Sequence, residues 1–280
     1  MVIENKSFDE ERALYGSSNL IVKNCRFDGP ADGESALKES HDIAVESCFF
    51  NLRYPFWHDD RLTIKNCELT EFCRAALWYT GHAEISDSKL HGIKALRECH
   101  DISISGCSII SPEFGWSVNN ASFTNTSAES EYFMMRSSNL KFDNFSLKGK
   151  YSFQYVENME MTNCNLNTKD AFWHSKNVTV RDSVINGEYL AWYSDHLTLI
   201  NCTITGTQPF CYCTNLKLIN CKMIDTDLAF EKSEVDAEIT TPVDSIKNPK
   251  RGKIMLPRVK ELIITEDCSR CEIVQTDKHE

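Results

Sequence analysis

Thr214-Asn215-Leu216-Lys217-Leu218-Ile219-Asn220-Cys221-Lys222-Met223 is the stretch that decides the fold, because it recurs. Nineteen residues earlier it reads Asp195-His196-Leu197-Thr198-Leu199-Ile200-Asn201-Cys202-Thr203-Ile204. Nineteen before that it reads Lys176-Asn177-Val178-Thr179-Val180-Arg181-Asp182-Ser183-Val184-Ile185. Met159, Leu140, Ala121 and Ile102 hold the same place in earlier units, followed by Ala83, Leu62, Ile43 and Leu20 at spacings of 21, 19 and 23. Val235 continues the cycle forward. Twelve copies of one unit describe a solenoid with a 19-residue repeat, a period too short for helix pairs.

Within each unit the apolar positions alternate, as in Leu20/Val22, Leu62/Ile64, Ile102/Ile104 and Leu197/Leu199. Period two means strand, with those side chains on one face. Five and seven residues after the first apolar position come Cys25 and Phe27, Cys67 and Leu69, Cys164 and Leu166, Cys221 and Met223, the inward positions of a second strand. Between the strands a turn position reads Asn24, Ser47, Asn66, Asp87, Gly106, Asn125, Asn144, Asn163, Asp182, Asn201 and Asn220, residue types that tolerate left-handed backbone and can ladder from coil to coil. A third strand is expected before the first, in runs such as Pro55-Phe56-Trp57-His58 and Ala171-Phe172-Trp173-His174. Three strands per coil, stacked at roughly 4.8 Å, make an all-β parallel β-helix of about 12 coils. Residues 1–235 are expected to form the helix with an N-terminal cap over residues 1–13. Ile254 and Ile273, 19 and 38 residues beyond Val235, allow further coils, but Pro242, Pro249 and Pro257 interrupt the strand pattern, and 236–280 reads as an irregular C-terminal cap. Residues 28–35 read as a bulged loop and Glu71-Phe72 as a two-residue insertion.

The Asn ladder at one tight turn resembles the single-stranded right-handed β-helix of the pectate-lyase (pectin-lyase-like) superfamily. More narrowly, Phe8-Asp9-Glu10-Glu11-Arg12-Ala13-Leu14-Tyr15, the run from Asp28 to Glu39, Asn51-Leu52-Arg53-Tyr54-Pro55-Phe56-Trp57-His58-Asp59 and Ser111-Pro112-Glu113-Phe114-Gly115-Trp116 resemble an uncharacterised bacterial family of such proteins, as do Gly149-Lys150-Tyr151-Ser152-Phe153-Gln154-Tyr155 and Asp244-Ser245-Ile246-Lys247-Asn248-Pro249. That family has no assigned activity, so the resemblance implies a fold and no function. The superfamily's substrate groove lies along the strand that precedes the Asn-turn pair.

The net charge of −11 argues against nucleic acid or an anionic membrane as partner. No 18-residue apolar run occurs and Met1-Val2-Ile3-Glu4-Asn5-Lys6 is not a signal peptide, so a cytoplasmic location is expected. Of thirteen cysteines, seven occupy one inward lane (Cys25, Cys48, Cys67, Cys107, Cys164, Cys202, Cys221), which reads as buried free thiols. Cys268-Ser269-Arg270-Cys271 is a lone CxxC, weak as a metal or redox signal, and Cys211-Tyr212-Cys213 reads as strand. No phosphate loop, HExxH or GxSxG motif is present, and no cofactor or metal is expected.

The third strand is where chemistry is expected. After its apolar inward lane, the next lane contains all five tryptophans, Trp57, Trp78, Trp116, Trp173 and Trp192, with Lys38 and Arg97 among them. The lane after that holds Glu39, His58, Tyr79, Glu98, Ser117, Arg136, Tyr155, His174 and Tyr193, and Tyr54, Tyr132, Tyr151 and Tyr189 share a further lane. Ordinary outward positions on the first strand are Thr63, Ser103, Thr179, Thr198 and Lys217. Aromatic faces interleaved with charges suit a saccharide, whose C–H faces stack on indole while hydroxyls find polar neighbours. Candidate binding residues are Trp57, Trp78, Tyr79, Trp116, Arg136, Tyr155, Trp173, His174, Trp192 and Tyr193. Candidate catalytic residues are Lys38, Glu39, His58, Arg97 and Glu98. Glu39 and His58 fall one coil apart, about 5 Å, within reach of a carboxylate-oriented imidazole. Glu39 and Glu98 fall three coils apart, roughly 14 Å, too far for a glycosidase pair. A lyase would draw its base and cation from Lys38, His58 and Arg97, but the adjacent-coil acidic cluster of pectate-lyase calcium sites is missing. The competing reading is a non-catalytic module whose aromatic strip docks a partner, its own cap or a second subunit in a homo-oligomer.

Overall fold

The structure, a computed structural model, describes residues 1–28, 34–265 and 270–277. Residues 29–33 of the expected loop, and Cys268 and Ser269 of the CxxC motif, lie outside the described residues. The chain divides into two compact units, Met1–Lys141 and Phe142–Glu280. Each is a parallel β-solenoid, and among the described residues no helix is long and apolar enough to cross a membrane.

In the N-terminal unit the first strand of successive coils runs over Ser18–Lys23, His41–Glu46, Asp60–Lys65, Gly81–Ser86 and His100–Ser105. Pairing is parallel and in the expected register, Leu20 with Ile43, Ile43 with Leu62, Leu62 with Ala83, Ala83 with Ile102. The second strands, Arg26–Phe27, Phe49–Phe50, Glu68–Leu69, Lys89–His91 and Ser108–Ile110, send Phe27, Phe50, Leu69, Leu90 and Ile109 into the core. The expected N-terminal cap is itself a coil: Val2–Glu4 pairs with Ile21–Lys23, and Phe8 stacks on Phe27 with centroids 4.9 Å apart. Its short apolar alternation, Met1/Ile3 and Phe8, spans too few residues to register as a repeat.

In the C-terminal unit the first strands are Glu157–Thr162, Lys176–Arg181, Asp195–Ile200, Leu216–Ile224, Glu234–Ile239, Arg251–Leu256 and Arg270–Gln275. Residues beyond 235 are therefore not an irregular cap. Ala237 pairs with Ile254 and Ile254 with Ile273, so coils continue after the spacing shortens. Pro242, Pro249 and Pro257 lie at corners outside the strands, where a missing N–H costs nothing.

The turn between the two strands behaves as read. Asn24, Ser47, Asn66, Asp87 and Asn125, and in the second unit Asn144, Asn163, Asp182, Asn201 and Asn220, all have φ between 49° and 54°. Asn220 Nδ2 donates to Asn201 Oδ1 and Asn201 Nδ2 to Asp182 Oδ1, each at 2.9 Å. The cysteine lane is also as read: every described cysteine is free, and all but Cys271 are buried. Burial pushes the Cys73 and Cys99 thiols up to about 12. Cys211 and Cys213 are buried in a turn segment rather than a strand.

The third strand is the main correction. Among the described residues it forms a ladder only where Leu77–Trp78 meets Leu96–Arg97 and where Val243–Lys247 meets Val259–Ile263, with single bridges Arg97–Trp116 and Ala229–Ile246 beside them. Elsewhere the segment is turn: left-handed residues bracket even the two-residue ladder strands (Ala75 and Tyr79, Lys94 and Glu98), as they do at Tyr54 and His58 and at Glu113 and Ser117, and from Gly115 on a third falls inside it, as Ala191 does between Tyr189 and Tyr193. The left-handed residue that closes the segment breaks the pleat but still aims its N–H at the next coil, as from Tyr79 to the Arg97 carbonyl at 3.0 Å and from Tyr193 to the Cys211 carbonyl at 3.1 Å. Side chains keep their in-and-out alternation, which is why the sequence pattern imitates a strand.

Gly115 marks a switch within this segment. The inward residues before it bond forward, Leu77 N–H to the Ala95 carbonyl; from Gly115 they bond backward, Gly115 N–H to the Leu96 carbonyl and Met134 N–H to the Phe114 carbonyl. Gly115 has φ 79°, and a Cβ there would overlap Sδ of Met134. Gly16, φ 65°, has nothing within 4 Å of such a Cβ. Gly115→Ala is expected to cost about 2–5 kcal/mol, strain plus overpacking, against about 1–2 kcal/mol of strain for Gly16→Ala. Equal costs in denaturant unfolding would contradict the packing role.

Candidate functional site

The turn segment lays the tryptophans down against the coils. Each is only half-buried, but most have their indole N–H tied to the carbonyl of a left-handed residue one coil on. In the N-terminal unit Trp78 Nε1 donates to the Lys94 carbonyl at 2.7 Å and Trp116 Nε1 to the Tyr132 carbonyl at 2.8 Å. In the C-terminal unit Trp173 and Trp192 donate to the Tyr189 and Gln208 carbonyls at 2.6 and 2.8 Å, and Gln154 Nε2 reaches the Asp170 carbonyl in the same manner. Among the described residues Trp57 makes no such bond. The expected row of free indole faces is thus a coil-to-coil ladder.

The faces are engaged as well. In the N-terminal unit Lys38 Nζ lies 5.3 Å from the Trp57 ring centre, Trp57 stacks on Trp78 at 4.8 Å, and the Arg97 guanidinium sits 4.8 Å from Trp78 and 4.4 Å from Trp116. Cation–π contacts of this kind hold charge against the ring quadrupole. Arg97 Nη2 also meets Glu113 at 3.3 Å, and the side chain is 18% exposed. Its charge is spent inside the stack. In the C-terminal unit Trp173 and Trp192 stack 5.3 Å apart with their rings nearly parallel.

What the surface offers is the next lane. Backbone bonds place Glu39, His58, Tyr79 and Glu98 on successive coils: Glu39 N–H to Trp57, His58 to Trp78, Tyr79 to Arg97, Glu98 to Trp116. Glu39 Oε1 lies 3.3 Å from His58 Nδ1, the contact expected from the spacing, and the two side chains are 40% and 46% exposed. The Tyr79 ring meets His58 edge-on, centroids 4.9 Å apart. Ser117 and Arg136 lie in the same exposed lane of this unit. In the C-terminal unit Tyr155, His174, Tyr193 and Tyr212 stack face to face at 4.9, 5.0 and 4.7 Å, leaving ring edges outward.

A family model described as a protein of unknown function (DUF3737) matches residues 1–275. The chain belongs to that family. No curated protein matches it. Among solved structures, a tailspike protein mutant of E. coli bacteriophage HK620 in complex with a hexasaccharide aligns at TM-score 0.39 and 9% identity, over 97% of this chain and 66% of that one. The mannuronan C-5 epimerase AlgE4 A-module of Azotobacter vinelandii aligns at TM-score 0.34 and 10% identity, over 99% and 88%. The catalytic domain of a GH87 alpha-1,3-glucanase in complex with tetrasaccharides aligns at TM-score 0.28 and 10% identity, over 99% and 64%. This DUF3737 chain therefore spans just under two thirds of the tailspike's length.

Between His58 and the first strand lies a residue that the sequence reading passed over. Asp59 is 1% exposed, in an inward lane where Ser40, Thr80 and Cys99 stand on the neighbouring coils and Val118 and Ser137 further on. Its Oδ1 accepts the Ser40 N–H at 2.9 Å, while Oδ2 has no partner among the described residues. Burial, and secondarily the charge of Glu39, push this carboxyl well above the usual carboxylate range. The folded state keeps the proton that the unfolded state releases above pH of about 3.9, so stability falls as pH rises through that value until the folded carboxyl itself ionises. Asp59→Ser, the lane's own choice, is expected to stabilise by about 1–3 kcal/mol at pH 7 and by less at pH 4. A gain independent of pH in thermal unfolding would contradict a buried, proton-holding carboxyl.

Proposed function

We propose that the protein binds a saccharide along the exposed lane Glu39, His58, Tyr79 and Glu98 of its N-terminal unit. The observation that carries this is the Glu39–His58–Tyr79 array. An acceptor, an imidazole and a phenol repeat coil by coil, held to each other at 3.3 Å and 4.9 Å yet open to solvent. A hydroxyl-rich ligand needs donors and acceptors fixed before it arrives, because ordering them on binding costs affinity. Here the left-handed backbone, φ 62°, 62° and 59°, fixes their stems, and the Lys38–Trp57–Trp78–Arg97–Trp116 stack forms the floor. Trp57, whose indole N–H is not tied to the next coil, is the indole best placed to add a donor to the ligand.

Binding is favoured over glycoside hydrolysis through these carboxylates. Glu39 and Glu98 are three coils apart, roughly 14 Å, beyond the separation a two-carboxylate mechanism uses. Arg97, already bound to two indoles and Glu113, is a poor candidate for neutralising a uronate. Proton transfer, where turnover is found, would centre on Glu39 and His58. A second reading, a surface that docks a partner protein or a second copy, is favoured in the C-terminal unit by the Tyr155–His174–Tyr193–Tyr212 stack, in which the rings cover one another's faces.

Tryptophan emission titrated with neutral and acidic oligosaccharides tests the first reading, since Trp57, Trp78 and Trp116 form the floor. Saturable change with one class, weakened at least tenfold by Glu39→Gln and by His58→Ala, is expected. Silence toward every sugar, with dimerisation weakened by Tyr193→Ala in light scattering, would replace saccharide binding by the docking reading.

A further inference from the structure

We infer that the N-terminal unit carries a divalent transition-metal site built from His82, His100 and Asp101, with Asp60 orienting His82. The site lies at the corner that leads into the first strand, off the aromatic strip. Two positions there precede the first apolar residue of each coil: His41-Asp42, Asp60-Arg61, Gly81-His82, His100-Asp101 and Asn119-Asn120. Parallel pairing aligns His41 with Asp60, Asp60 with Gly81, and Gly81 with His100. Histidine and aspartate thus meet across three adjacent coils.

One donor atom from each of His82, His100 and Asp101 lies within 4.8 Å of the others. His100 Nδ1 is 2.9 Å and His82 Nε2 3.5 Å from Asp101 Oδ2, and the two imidazole centroids are 5.1 Å apart at 89°. On its other side His82 Nδ1 meets Asp60 Oδ1 at 2.7 Å. A carboxylate on the far nitrogen of a ligating imidazole is the usual outer support of a metal histidine, fixing tautomer and ring orientation. Arg61, the nearby cation, is drawn off by a two-point pair with Asp42 at 2.6 and 2.9 Å as well as by Asp60.

Gly81 is an independent sign that the cluster is built. Its φ lies outside the left-handed region, so the backbone there does not need glycine. Space does. A Cβ on residue 81 would stand 2.6 Å from Cε1 and 2.7 Å from Nε2 of His100, and 3.1 Å from Asp60 Oδ1. The missing side chain is what lets the His100 imidazole and the Asp60 carboxylate converge over this coil.

Two imidazoles and a carboxylate are a donor set for zinc, cobalt, nickel or copper rather than for calcium or magnesium, which take oxygen. Zinc bonds of about 2.0–2.1 Å need tetrahedral donors roughly 3.3 Å apart. Exposed side chains already within 4.8 Å reach that by small rotations. The fourth position opens to solvent.

The test uses untagged full-length protein, stripped with chelator, and Zn²⁺ or Co²⁺ alone as probe. Calorimetry is expected to show one equivalent bound, and Co²⁺ to give the visible absorption of a tetrahedral site. His82→Ala and His100→Ala should each weaken uptake at least tenfold. Gly81→Ala, which removes no donor atom, should weaken it by displacing His100. His196→Ala, an exposed histidine paired only with its neighbour Asp195 at 2.9 Å, should leave it unchanged. Circular dichroism checks that the variants fold. No uptake, or uptake unaltered in both His82→Ala and His100→Ala, overturns the site.

Discussion

Every coil of this protein depends on backbone hydrogen bonds to the coil before and the coil after it. A coil has no interior of its own; Phe27, Phe50 and Phe56 become core only when neighbours cover them. Inter-coil bonding therefore has to survive each corner, and it does so through residues held at positive φ. Most are not glycine, and each costs of order 1 kcal/mol in strain. The cost is accepted because the left-handed residue redirects its N–H along the stack, so the corners are hydrogen-bonded as fully as the strands. Asn and Asp are cheap at such corners; Tyr, His and Phe are not, and their presence in the turn segment shows how strongly the neighbouring coils determine it.

Much of this was legible in the sequence. The 19-residue period, Leu20/Val22 and their counterparts, the cysteine lane and the Asn corner are each produced by one physical requirement repeated without interruption. The third segment misled because its side chains alternate like those of a strand while its backbone does not. Backbone conformation leaves a mark only where it selects Gly, Asn or Asp, and Tyr54, His58 or Tyr189 carry no such mark. A second left-handed lane, at the start of the first strand, did leave one: Asn19, Asp42, Asp101, Asn120, Asn158, Asn177 and Asn215 all have positive φ. Read as a second Asn/Asp ladder, it would have drawn attention to Arg61 and His82, which break it. The first coil was hidden because Val2–Glu4 is short, whereas the last coils were legible at Ile254 and Ile273 and were masked by prolines that lie at corners and not in strands.

The candidate site was half legible. The contact between Glu39 and His58 follows from lane and rise alone. The fate of the tryptophans does not, because an outward position says where a side chain starts and not where it lies. The indole is large enough to fold over the next coil and find a carbonyl there, and Arg97 long enough to slot between two indoles. Aromatic residues on a solenoid's surface thus serve the stack first, and recognition falls to the polar lane beside them.

Hydrogen exchange of the five indole N–H protons, followed by nitrogen-15 correlated NMR, tests this division of labour most directly. Slow exchange of Trp78, Trp116, Trp173 and Trp192, with Trp57 alone exchanging fast, is the expected result. Uniformly fast exchange of all five would mean that the tryptophans stand free in solvent and that the indoles themselves form the recognition surface.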